Sequence, residues 1–485
     1  MKRTTVFAFV LAAAAGLCAG YLAGSALLER PPETPETAPE NTAESRETAR
    51  LSRTEIALDA QNVAERPSYV YDPGVTVDPD VLTANWYGDT EAVHESLLEA
   101  KNYAAKPDLP DVYDRVISAV TSLASLSKYL EYKETVSITV GDTVYGAYTE
   151  DEASPIGGGR GYGEIFTTGD YIVTNYKELS EACRISGDGD VIFIPSGVTI
   201  DLTFEEKPEF SEYHLSLHRG VTLASDRGYV KEDGSVSPGA KLCGYGGGKD
   251  MANAFIYCNA GARITGLVIQ GPDPERHIEH HYRAFSAGDA KGSAYYWSLP
   301  MVHGINVKGK DVEIDNCEIS GFAYAAVLVN AGGFYAHHNY VHHNQLKGLG
   351  YGFAFDGAGA GGIIEYNLFN FNRHSISGSG LKDVYYTARY NVDMGDVLNH
   401  VYDMHGGADR GDGTDIAGKF VEIYNNTFLA DDYPYFVRGV PVEYHRFYRN
   451  VVIGTKDKYD FRYLTGKKYE IYDNIFGIKE KTVVK

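Results

Sequence analysis

From residue 170 onward the apolar positions fall in short runs that alternate with polar ones, separated by turns carrying Gly or Asn. Alternation over so few residues marks a strand with one buried face rather than a helix. The runs also recur. VEIDNCEI (312–319), YAHHNYV (335–341), IIEYNLF (363–369), ARYNVDM (388–394), EIYNNTF (422–428), RFYRNVV (446–452) and EIYDNIF (470–476) align on Cys317, Asn339, Asn367, Asn391, Asn426, Asn450 and Asn474. The steps between these positions run from 22 to 35 residues. One special residue per period of that length marks a solenoid, and the strand-like runs make it a β-solenoid. Asn suits such a turn because it tolerates the left-handed backbone and its amide reaches neighbours above and below.

A second strand set lies between the Asn turns: GINVKG (304–309), AVLVNA (326–331), GFAFDG (352–357), RHSISG (373–378), VYDMHG (401–406), PYFVRG (434–439) and FRYLTG (461–466). Aligned on their ends, one parity is apolar, with Ile305, Val307, Val327, Val329, Phe353, Phe355, Ile376, Tyr402, Met404, Tyr435 and Val437 expected inside. His374 falls in the same inward column. The other parity is expected to face outward. Its last column reads Lys308, Asn330, Asp356, Ser377, His405, Arg438 and Thr465, and the next reads Asn306, Leu328, Ala354, Ser375, Asp403, Phe436 and Tyr463.

The N-terminal third differs. Lys2 and Arg3 precede an uncharged stretch from Thr4 to Leu28, the pattern of an export signal or of a membrane anchor. Residues 1–28 are therefore expected to be a leader helix, 29–50 a disordered Pro/Glu/Thr linker, 51–169 a mixed and partly helical region, and 170–485 the solenoid. Helical spacing within the mixed region covers Thr90–Lys106 and Val112–Tyr132. Asn175 is placed to cap a short amphipathic helix reaching Cys183. This organisation puts the body outside the cytoplasm, secreted or held by its N-terminal segment, with membrane contact only through that segment.

Composition changes the picture in two ways. A formal charge of −22 argues against nucleic acid, whose phosphates need clustered Lys and Arg. Five cysteines (Cys18, Cys183, Cys243, Cys258 and Cys317) show no zinc spacing and no disulfide framework, which fits apolar fillers.

The Asn ladder, the strand–turn rhythm and the helix at 175–183 followed by VIFIPSG resemble the right-handed parallel β-helix superfamily of the pectate-lyase type, over roughly residues 170–480. The resemblance implies an all-β fold and a polysaccharide cleft on the outer face of one sheet. The WxDH run of pectate lyases and the GDD and GHG runs of polygalacturonases are absent, so no catalytic residue carries over from either.

Candidate chemistry concentrates in Asn399–Gly418. Neighbours in a parallel column lie about 4.8 Å apart, which gathers Asp356, Asp403, His405 and Arg438 into one outward patch. The loop 406–418 adds Asp409, Arg410 and Asp412. The favoured reading is a lyase that cleaves an acidic, uronic-acid-containing polysaccharide by β-elimination. In it Asp403, His405, Arg410 and Arg438 are catalytic, and Ca2+ is held by Asp356, Asp403, Asp409 and Asp412 to neutralise the sugar carboxylate. Lys308 and Arg373, with the aromatic wall Tyr295, Tyr296 and Trp297, would bind the chain. One alternative is an inverting glycoside hydrolase using Asp356 and Asp403. The other is a non-catalytic glycan-binding or envelope protein. As an outward strand residue, Asp403 is expected to be solvent-exposed and dispensable for stability.

Overall fold

The computed structural model describes residues 137–140, 142–149, 154–202, 215–244, 254–271, 302–346, 348–394, 397, 399–429, 433–452 and 468–476. The expected leader, linker and helices Thr90–Lys106 and Val112–Tyr132 lie outside these residues. So do Tyr295, Tyr296 and Trp297 and the strand expected at 461–466.

The described strands build three long parallel sheets of 11, 10 and 8 strands, each linking one coil to the next. This is a parallel β-helix. Its core is one continuous apolar column running from Val173 to Val452. The helix α1 (Tyr176–Ile185) starts at Asn175, whose side chain accepts from the Glu178 amide, as the capping pattern predicts. Leu179, Ala182 and Cys183 of α1 pack into the core of the first coils. The four described cysteines are free and buried.

The Asn positions form a ladder. From Asn339 through Asn474, each Asn amide oxygen accepts the backbone N–H of the aligned residue one coil before it, at 2.9–3.0 Å. From Asn339 onward each amide nitrogen donates to the amide oxygen of the next Asn. The left-handed position is not the Asn itself but the residue before it: Asn316, His338, Tyr366, Tyr390, Asn425, Arg449 and Asp473 all have φ between 50° and 55°. A second, shorter ladder that the alignment missed joins Phe322, Asn344 and Asn372. It too follows left-handed residues, His343 and Phe371.

The described residues between 137 and 162 lie along this Asn edge. Strands Ser137–Val140 and Thr143–Gly146 form an antiparallel hairpin. Gly146 donates to the Arg449 carbonyl, Gly157 to that of Tyr366, and Gly159 to the Asn316 amide oxygen.

The eight-stranded sheet carries the candidate site. Its register bears out the expected outward column Asn306, Leu328, Ala354, Asp403 and Phe436, but with Ser377 in the place expected for Ser375. Two expectations for strand His374–Gly378 are corrected. Ser377 pairs with Ala354 and Asp403, one step away from the Asp356 and His405 column, because Gly378 occupies an inward position opposite Phe355 and Met404. A Cβ on Gly378 would sit 2.7 Å from the Met404 Sδ and Cε, so the thioether would have to move aside for a larger residue. His374 is not inside the coil. Strand Ala325–Val329 bends at its second position, so that Ala326 and Val327 both reach the main core while Ala325 joins an outer cluster with Leu328, Tyr351 and Ala354. His374 pairs with Tyr351 and stacks on it, on that outer side.

Candidate functional site

Tyr402 and Met404 point into the core, so alternation sends Asp403 outward from the same strand. Asp403 is nonetheless fully buried, contrary to the expectation of an exposed carboxylate. Side chains from its own and neighbouring coils cover it. Oδ2 accepts from Arg438 Nη2 at 2.6 Å and lies 2.8 Å from His405 Nε2. Oδ1 lies 3.1 Å from His400 Nε2. The two histidine contacts have ion-pair distances but lie off the line of a good hydrogen bond. Burial alone would push this carboxyl up, yet Arg438, His405 and His400 together hold it well below the usual carboxylate range.

The surrounding residues come from four consecutive coils of this sheet. Arg438 is half-buried and also reaches Asp409 Oδ1 at 3.1 Å, and its guanidinium is pushed up against burial by Asp403 and Asp409. Arg373 donates weakly to the Leu349 carbonyl and the Tyr351 hydroxyl, at 3.3 and 3.4 Å. Tyr351 is buried and its phenol is pushed up by that burial, an effect that Arg373 opposes. Its hydroxyl donates to the Gly348 carbonyl. Asp356 is pushed up by burial, opposed by nearby His405. The His400 ring is sandwiched between His374 and Phe436, with centroids at 4.0 and 4.7 Å.

Not every expected residue joins this group. Arg410 lies in the short helix α2 (Gly407–Arg410) and is committed to the loop itself: it donates to Asp412, to the Ser379 carbonyl and to the Ile416 carbonyl. Asp412 accepts from Thr414 and Arg410, which lower its carboxyl to about 2. Asp409 caps α2 through the Gly406 amide before turning its other oxygen to Arg438. Lys308 lies four coils before Asp403 in the sheet, with its ammonium over the Tyr257 ring at 4.2 Å. Among the described residues no three of Asp356, Asp403, Asp409 and Asp412 bring carboxylate oxygens within 4.8 Å of one another. The four carboxylates therefore do not form the hard oxygen cage a calcium ion takes.

Reading the sequence placed His400 in the candidate stretch without giving it a role, and missed Tyr351 and His374 as members of the site. The available signal was Asn399–His400 immediately before the Asp403 strand, together with a Tyr and a His at the same place in two successive strands. The bend at the second position hid it, because strict alternation puts Tyr351 and His374 inside.

No family model matches the chain, and no curated protein matches it. Solved structures similar to it include an alginate lyase from Paenibacillus sp. (15% identity, 63% of this chain and 97% of that one, TM-score 0.36). The catalytic unit of a GH87 α-1,3-glucanase from Streptomyces thermodiastaticus is similar at 14% identity over 63% of this chain and 56% of that one, with a TM-score of 0.34. The A-module of a mannuronan C-5 epimerase from Azotobacter vinelandii gives 11% identity over 63% and 95%, with a TM-score of 0.27. At these values no residue role or activity transfers, and the parallel coil rests on the ladders described above.

Proposed function

We propose that this is an extracytoplasmic polysaccharide lyase that cleaves a uronic-acid-containing chain by β-elimination. The observation that carries the reading is the pairing of His405 and Arg438 on one buried oxygen of Asp403, at 2.8 and 2.6 Å. A base and a guanidinium are thereby held side by side at the surface by a carboxylate that cannot itself reach solvent.

Elimination needs a base for the proton next to the sugar carboxylate and a positive charge to stabilise the enolate that follows. His405 takes the C5 proton. The C5–H electron pair becomes the C4–C5 double bond as the C4–O bond breaks. The departing oxygen takes a proton, from Asp356 or from water. Arg373 and Arg438 receive the substrate carboxylate. Among the described residues Arg373 has no carboxylate within ion-pair distance, which leaves its charge available to a ligand. The step is written without calcium, because the four carboxylates do not converge.

The hydrolase reading has one observation in its favour: Asp356 is pushed up while Asp403 is held low, the divergence expected of an acid and a base. The burial of Asp403 counts against it, because a base in that role must touch water.

The test is incubation with a panel of acidic and neutral polysaccharides, following ultraviolet absorbance of unsaturated uronides together with reducing ends. Elimination raises both, hydrolysis raises reducing ends alone, and a binding protein raises neither. His405→Ala is expected to lower the rate at least a hundredfold, the low end of what a positioned base contributes (~100-fold). Recovery of the full-length protein from the cytosol of its native cell would overturn the extracytoplasmic part.

A further inference from the structure

Beneath the proposed catalytic face lies a second group of ligand atoms, of which the elimination chemistry uses only Asp403, through its other oxygen. His374, His400 and Asp403 bring one ligand atom each to within 4.8 Å of one another, and all three residues are buried. His374 Nε2, His400 Nε2 and Asp403 Oδ1 make no aligned hydrogen bond. The tautomer of His374 is fixed by its other nitrogen. Nδ1 lies 2.5 Å from the His400 carbonyl, which only accepts, so Nδ1 carries the proton. In the neutral ring that leaves Nε2 as a buried lone pair with no donor against it, beside Asp403 Oδ1, which faces His400 Nε2 at 3.1 Å. A buried acceptor without a donor is costly unless a cation lies against it.

We propose that His374, His400 and Asp403 bind a divalent transition-metal ion of the zinc class, in a site separate from the proposed catalytic base. Two imidazoles and one carboxylate suit Zn2+, Co2+ or Fe2+ and not Ca2+, which takes oxygen ligands. The supporting bonds are those a metal ligand needs. His374 Nδ1 donates to a backbone carbonyl, and Asp403 Oδ2 is held by Arg438 while Oδ1 faces His400. Ligand bonds of roughly 2.0–2.2 Å require donor atoms about 3–4 Å apart. The His400–Asp403 pair, at 3.1 Å, is already there. The His374 and His400 rings, now tilted by 27°, must open further so that each lone pair points at the ion. The ion would tie the segment before strand Tyr402–Met404 to strand His374–Gly378, and so fix the carboxylate that holds His405 and Arg438.

The readout is metal content and spectrum, which do not depend on whether the protein is a lyase. The full chain is stripped with chelator, exposed to Zn2+ or Co2+, desalted and analysed for bound metal. The expected result is one retained equivalent, visible ligand-field bands with Co2+, no displacement by excess Ca2+ and a raised melting temperature on loading. His374→Ala and Asp403→Asn should each lose the equivalent, whereas His218→Ala, at the other end of the coil, should keep it. Far-UV circular dichroism checks that each variant is folded. A folded wild-type chain that retains no Zn2+ or Co2+ overturns the proposal. So does retention of the full equivalent by folded His374→Ala, which would put the metal elsewhere.

Discussion

Asp403 shows how far strand parity reads at the level of a single residue. Tyr402 and Met404 are inward and Asp403 outward, as their alternation requires. Parity does not give exposure, because the cover comes from Arg438, His405 and His400, all of which lie outside strand Tyr402–Met404. The consequence reverses the sequence-based expectation for stability. Asp403→Asn removes the charge that Arg438 and two histidines are arranged around, and breaking a buried pair costs about 3–5 kcal/mol. A thermal melt of the variant should therefore show a clearly lowered midpoint along with lost activity. A midpoint equal to that of the wild type would mean that Asp403 is solvated after all. Tyr351 and His374 were hidden for a different reason. The bend that carries them outward is visible only when two consecutive core residues, such as Ala326 and Val327, are seen to share a face.

Among the elements, the loop after strand Tyr402–Met404 separates structural from chemical roles. Its Asp- and Arg-rich composition drew attention to Arg410 and Asp412, but Arg410 directs its donors to two backbone carbonyls and to Asp412. Arg410→Ala is expected to speed hydrogen exchange at the amides of 406–416 and to change catalysis only modestly. A hundredfold fall in kcat with unchanged exchange would return Arg410 to the chemistry. The Asn ladder was legible because one residue type recurs at one place in the repeat. Its partner ladder was not, because two Asn in consecutive coils do not make a period. The cost of the left-handed residues also falls one position earlier than the alignment implies, on residues such as Tyr366 and Tyr390. Asn391 accepts the Asn367 amide and donates to the Ile364 carbonyl and the Asn426 side chain. Asn391→Ala orphans these groups at about 1–3 kcal/mol each. Denaturant unfolding should show a correspondingly lower midpoint, whereas Lys382→Ala, in an exposed turn, should leave it in place.

For the whole molecule, two buried histidines make stability depend on pH. Burial lowers both His303 and His445 to about 3. His445 donates from Nε2 to the Ala417 carbonyl, which leaves Nδ1 to accept from the Tyr435 hydroxyl, so its neutral form is the one built into the fold. Both folded values lie below the unfolded value near 6.5. The stabilisation is thus fully present above that value and is lost as pH falls from about 6.5 toward 3, at up to about 1.4 kcal/mol per pH unit for each histidine. His303→Phe keeps a ring against Tyr324 but removes one titration, so its acid-induced loss of stability should be shallower. An unchanged acid slope would show that His303 is accessible to protons in the folded state.

Whether the outer face built on Asp403 eliminates or hydrolyses is tested most directly by the fate of oxygen. A polysaccharide cleaved by the protein is digested in water enriched in heavy oxygen, and the fragments are weighed by mass spectrometry before the label can exchange. Elimination uses no water at the broken bond, so the expected fragments are unlabelled and their new non-reducing ends are lighter by one water. Fragments that carry one heavy oxygen per cleavage, with saturated ends, would contradict elimination.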